Sequence, residues 1–234
     1  MLNDVLDLIK LTGLGLTLML PLANPLTSMS LLLSLGQHIP YRERQKQIGQ
    51  AACYVVGIML VTYYAGAWIM STFGISIPGL RIAGGLIVVA IGFSMLFPKT
   101  ALEDIPEADK AADAIPQRAS PNIAFVPLAM PGTAGPGTIA MIISATSTLD
   151  AADHYARWVI DLTPPIVFLL LGLLFWVCLR WAGRIVKIIG HDGVEAISRV
   201  MGFLLVCMGV QFVINGVLEI ITTYLGQIHG GPPA

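Results

Sequence analysis

The sequence predicts an all-α polytopic membrane protein: six transmembrane helices arranged as two inverted three-helix repeats, with helices 1 and 4 broken at the midplane. Three observations carry this reading. Hydrophobic residues make up 56% of the 234 and charged residues 12%, with mean hydropathy +0.79, so there are too few charges to cover a soluble globule of this length. Six apolar stretches are long enough to cross about 30 Å of hydrocarbon. Two of them are interrupted alike, by Pro21-Leu22-Ala23-Asn24-Pro25 and by Pro131-Gly132-Thr133-Ala134-Gly135-Pro136-Gly137.

The first stretch runs from Val5 to Gly36. Asp4 and Asp7 stand where a secretory signal would carry basic residues, and no clean small-residue cleavage site follows, so the segment is expected to be retained. The second and third stretches are Ile48 to Met70 and Leu80 to Phe97. A connection from Pro98 to Pro121 follows, rich in Ala, Pro and charge, including Glu103, Asp104, Glu107, Asp109 and Asp113; it predicts a linker rather than a domain. The remaining stretches are Asn122 to Thr148, Ala156 to Leu179 and Val200 to Leu225. The chain thus divides into a first repeat (1–97), a cytoplasmic linker (98–121) and a second, inverted repeat (122–234). Arg42, Arg44, Lys46, Lys99, Lys110, Arg118, Arg180, Arg184, Lys187 and Arg199 share one side, leaving Lys10, Arg81 and Arg157 on the other. Because cytoplasmic loops carry the Lys and Arg excess, both termini are expected to be periplasmic.

The repeat shows in two places. Leu22-Ala23-Asn24-Pro25-Leu26-Thr27 aligns with Thr133-Ala134-Gly135-Pro136-Gly137-Thr138, and Arg81-Ile82-Ala83-Gly84-Gly85-Leu86-Ile87-Val88 aligns with Arg199-Val200-Met201-Gly202-Phe203-Leu204-Leu205-Val206. An odd number of spans per copy turns the second copy over, the inverted topology of many secondary transporters. Counting from Gly36 back to Pro25, or from Asn122 to Pro131, gives about 15 Å at 1.5 Å per residue, so both breaks fall near the bilayer centre. One proline kink alone needs no functional explanation; a pair at matching positions points to a binding site.

Helices restarting at such breaks present free N–H groups and the positive end of the helix dipole, while the preceding half-helices present carbonyls. The first attracts a carboxylate; the second suits an ammonium group or a sodium ion. Neither break contains Asp, Glu, Lys, Arg or His, so a zwitterion fits better than a ligand with net charge. Glycines leave a tight space, predicting a small side chain. The candidate binding residues are Asn24, Pro25, Thr27, Thr133, Ala134, Gly135, Gly137 and Thr138. Thr27 and Thr138 have a second reading, hydroxyls bonded back to helix carbonyls. Asp161, close to Pro164 and Pro165, is a candidate for coupling to Na+ or H+, or an acid in the headgroup region.

Other polar residues have structural readings. Gln211 and Asn215 are expected to join helices, Arg81 and Arg199 to snorkel or to anchor their span ends at the interface, and Tyr41, Trp68 and Trp181 to mark the interfaces. Cys53, Cys178 and Cys207 read as membrane-buried thiols, and His38, His154, His191 and His229 lack metal-site spacing. No cofactor, nucleic acid or enzymatic activity is expected, because no serine–histidine or paired-aspartate arrangement lies at membrane depth and no phosphate-binding Gly-x-x-x-x-Gly-Lys-Ser/Thr loop is present. Gly13 and Gly15 leave packing within the chain and homo-oligomerisation both open.

Pro21 to Thr27, Phe73 to Gly85, Ala124 to Thr138, and Glu195-Ala196-Ile197-Ser198-Arg199 through Asn215-Gly216 resemble the MarC family of bacterial inner-membrane proteins. The likeness covers almost the whole chain outside Leu102 to Ser120; family members commonly carry Pro-Ser or Pro-Leu where this chain has Pro131-Gly132. The resemblance implies an inner-membrane location and, through an archaeal relative, transport of small neutral amino acids such as glycine and alanine. That relative's Asn-Pro and Ala-Gly-Pro-Gly breaks correspond to Asn24-Pro25 and Ala134-Gly135-Pro136-Gly137. The alternatives are efflux of drugs or other metabolites, and a membrane regulatory subunit that transports nothing.

Overall fold

Proline and glycine punctuate this chain, and the helices stop and start at them. The computed structural model describes residues 2–36, 39–97, 122–130, 133–150 and 155–229. The linker 98–121, Pro131, Gly132, His38 and His154 lie outside the described residues. Every regular element among the described residues is helical.

Helix α1 (Leu2–Met19) carries Asp4 in its first turn, where an acid complements the helix dipole. It gives way to a turn at 20–23, closed by the Ala23 N–H donating to the Met19 carbonyl at 2.8 Å. Helix α2 (Pro25–Leu35) begins with proline in its first turn, where the missing N–H costs nothing. Helix α3 (Tyr41–Thr72) starts a turn or more before its apolar run and ends at a turn containing Gly74, whose φ of +66° suits glycine. Helix α4 (Ile77–Leu96) is capped by Ser76, whose hydroxyl accepts from the Gly79 N–H.

The second half opens on a wide turn, Ala124–Ala129, in which Val126 leaves helical geometry (φ −119°, ψ 125°) just before Pro127. Helix α5 (Pro136–Asp150) again begins at a proline. Helix α6 (Arg157–Arg180) contains Pro164 and Pro165. A short helix, α7 (Ala182–Ile189), and Gly190 at φ +80° lead into α8 (His191–His229).

Among the described residues four helices are long and apolar enough to cross a membrane: Tyr41–Thr72, Ile77–Leu96, Arg157–Arg180 and Asp192–Leu225. The first and fourth predicted stretches instead contain shorter pieces. Pro25–Leu35 and Pro136–Thr146 are apolar but short, and α1 carries Asp4, Asp7 and Lys10.

Helices α4 and α8 form the most extensive pairing. They run antiparallel along a glycine seam. A Cβ on Gly85 would lie 2.6 Å from the Gly209 carbonyl, one on Gly92 2.7 Å from that of Gly202, and one on Gly216 2.8 Å from that of Pro78. The contacts recur every seven residues on both helices, so the backbones touch along the length of the pair, the packing that small residues permit where hydrocarbon supplies no hydrophobic drive. Helix α6 is the best enclosed, burying Val159, Val167, Phe168, Leu171, Phe175 and Leu179 against α1, α2 and α3. Gly15 meets Val167 across the α1–α6 contact, whereas a Cβ on Gly13 would meet nothing. Large apolar side chains cover the outside, with Trp68 and Tyr41 exposed near helix ends, as a lipid-facing surface requires.

Candidate functional site

The turn at 20–23 and the start of α5 meet inside this bundle. Asn24 caps α2: its Oδ1 accepts from the Leu26 N–H at 3.0 Å. The residue is 4% exposed, and its Nδ2 finds no hydrogen-bond partner among the described residues. A buried donor without a partner is costly, about 1–3 kcal/mol, which marks the place where an acceptor is missing.

One turn along α2, the Ser28 hydroxyl donates to the Leu128 carbonyl at 3.0 Å and lies 3.2 Å from Thr133 Oγ1. Thr138 Oγ1 donates to the Thr133 carbonyl at 2.9 Å, so that hydroxyl bonds locally. Carbonyls at the preceding helix ends are also engaged: the Ala129 oxygen accepts from the Ala134 N–H at 3.0 Å. Gln47 of α3 supports the junction from the side, its Oε1 accepting from the Ile123 N–H at 3.2 Å. Four buried polar residues of two distant segments, Asn24 and Ser28 with Thr133 and Thr138, thereby lie at one junction with no formal charge among them.

Of the sequence candidates, Asn24, Thr133, Ala134, Gly135, Gly137 and Thr138 are buried at the junction. Pro25 is half-buried as the first residue of α2. Thr27 is exposed and turned away, although its partner in the alignment, Thr138, is 3% exposed. Asp161 is exposed on α6 and lines neither cavity described below. Ser28 and Gln47 are absent from the sequence reading. Ser28 lies four residues after Asn24, on the same helix face, and that spacing is the signal that would have found it.

Beside the junction lies a small cavity of about 30 Å³, lined by Leu22, Val88, Ile91, Gly135, Gly137, Thr138 and Leu205. It has room for about two waters. The junction is closed to anything larger in this structure.

A second cavity, of about 440 Å³, extends from Met19 and Met141 to Arg81, Ser144 and Asn215, walled by α1, α5, α6 and Phe212 of α8. Arg81 does more than snorkel or anchor a span end, being held by partners on two other helices. Its Nε donates to Ser144 Oγ at 2.7 Å and its Nη1 to Glu219 Oε2 at 2.5 Å, tying α4 to α5 and α8. Gln211 and Asn215, expected to join helices, bond to each other along α8 at 2.8 Å.

The sequence profile of MarC family integral membrane proteins matches residues 9–221. The chain belongs to the MarC family. The inner membrane protein MarC of Salmonella typhimurium (strain LT2) is 57% identical over 220 residues, 94% of this chain and 100% of that protein. The proteins of that name from Salmonella typhi and Escherichia coli O1:K1 are similar to the same extent. This chain is accordingly an integral protein of the inner membrane with several apolar helices. No solved structure matches it.

Proposed function

We propose that this MarC-family protein is a secondary transporter that exports or exchanges small neutral amino acids, such as glycine and alanine, at the junction of α2 and α5. The observation that carries the reading is Asn24: a buried amide with an unanswered donor, at the start of a helix, at a junction whose buried polar residues carry no charge. Its Nδ2 and the N-terminal dipole of α2 suit a carboxylate; the uncharged surroundings favour a ligand whose own charges cancel.

In this reading α1 with α2, and the wide turn with α5, are the two broken helices, and the halves 1–97 and 122–234 are inverted repeats. The antiparallel α4–α8 seam supports that reading, since each helix supplies glycines seven residues apart to the other. So does the matching of α1 on α6 by α5 on α3. Transport then requires α2 and α5 to separate far enough to admit the amino acid, first toward one side and then the other. A Na+ or H+ gradient is the proposed driving force, with Asp161 too exposed to serve at the junction itself.

The test is counterflow of labelled glycine or alanine in proteoliposomes. Asn24→Leu and Gly135→Leu are expected to reduce the flux at least tenfold while the protein remains folded. Folded wild-type protein giving no substrate-dependent flux rejects the proposal. The wider cavity favours a second reading, efflux of larger apolar metabolites, in which alanine fails to compete with the exported compound.

A further inference from the structure

We propose that the cavity of about 440 Å³ is a second ligand site, specific for zwitterions with large apolar side chains, of the size of leucine or phenylalanine, with Arg81 as its carboxylate anchor. The volume falls within the range of small-molecule sites, and the lining follows their usual pattern of apolar walls with a few convergent polar groups. Tyr63, Phe168 and Phe212 contribute aromatic wall; Arg81, Ser144 and Asn215 form the polar end.

Charge decides the ligand class. Arg81, its side chain 16% exposed, is balanced by Glu219 and fixed in direction by Ser144, so the guanidinium is positioned before a ligand arrives. A lone carboxylate or a lone ammonium would add an uncompensated charge to surroundings that are almost wholly apolar, at a substantial desolvation cost. A zwitterion adds none: its carboxylate turns to the guanidinium, where charge-assisted hydrogen bonds are strongest, and its side chain fills the space toward Met19 and Met141. In this closed arrangement the junction's own cavity is less than a tenth of this volume.

The experiment is equilibrium binding to purified protein in lipid nanodiscs, with three probes of one shape: phenylalanine, 3-phenylpropionate and phenethylamine. Saturable phenylalanine binding, with the other two at least tenfold weaker, is the expected result. Arg81→Gln is expected to weaken phenylalanine at least tenfold. Because Arg81 also joins three helices, Leu14→Trp provides a second variant; Leu14 is 57% exposed and lines the cavity, so a bulkier side chain there fills space without disturbing a buried position and abolishes binding. Equal binding of all three probes, or phenylalanine binding that survives both variants, overturns the proposal. So does failure to bind phenylalanine, whether the cavity stays empty or retains lipid. Glycine counterflow with the same purified protein in proteoliposomes keeps the two readings apart: its absence with phenylalanine binding intact rejects the junction alone.

Discussion

Thr27 and Ser28 are neighbours in sequence and opposites in the structure. Thr27 faces outward, whereas Ser28 is fully buried and links α2 to both Leu128 and Thr133. Ser28→Ala strands a buried carbonyl and a buried hydroxyl, a loss of about 1–2 kcal/mol. For a protein of this size that corresponds to a melting temperature lower by about 3–6 °C. Thr27→Ala is expected to stay within about 0.5 kcal/mol, as surface substitutions do. Thermal unfolding in detergent measures both; a larger effect at Thr27 contradicts the orientation described here. Asn24 and Thr133 were legible because proline and glycine announce a break whatever surrounds them. Ser28 was not, because a serine in an apolar helix ordinarily bonds back to its own turn. The partners of Arg81 were not legible for a different reason: Ser144 and Glu219 lie far along the chain, and nothing local distinguishes an arginine so held from one that snorkels or anchors alone.

Among the elements, the α4–α8 pair gives the sharpest contrast. Gly85→Ala places a methyl group 2.6 Å from a carbonyl oxygen of the facing helix, so the helices must part, at a cost of about 1–3 kcal/mol. Gly57 of α3 is the control. A methyl there meets nothing, and Gly57→Ala is expected to be neutral or to gain up to about 1 kcal/mol in helix propensity. The same unfolding measurement ranks the two, and equal responses would refute close packing at the seam. Long apolar helices were legible from hydropathy, and α4, α6 and the apolar body of α8 fall close to the expected bounds. Helix α7 was missed because its eight residues include Arg184 and Lys187, which read as part of a basic connection rather than as a helix.

At the scale of the molecule, two polar contacts fix which helix ends lie together. Arg180 donates to Gln45 at 2.8 Å, placing the start of α3 beside the end of α6; the Arg81 cluster places the start of α4 beside the ends of α5 and α8. Arg42, Arg44, Lys46, Arg180 and Arg184 therefore gather at one end of the bundle, the end that the positive-inside rule assigns to the cytoplasm. In intact cells, single cysteines replacing Arg44 or Arg184 are expected to resist a membrane-impermeant maleimide, while Phe73→Cys reacts. The reverse pattern turns the protein over. Charge along the chain foretold this grouping, since each long helix carries its cations across the bilayer or keeps them where they are. What it could not supply was the wide cavity, which arises from how far α1 stands off α5 and α8, a distance no single segment encodes.

The glycine seam also restricts how this protein can change over time. At Gly85, Gly92, Gly202, Gly209 and Gly216 even a methyl group collides with the opposite helix. A saturation library would therefore show intolerant rungs at seven-residue intervals on α4 and α8, climbing one helix as they descend the other, between positions facing lipid that accept almost any apolar residue.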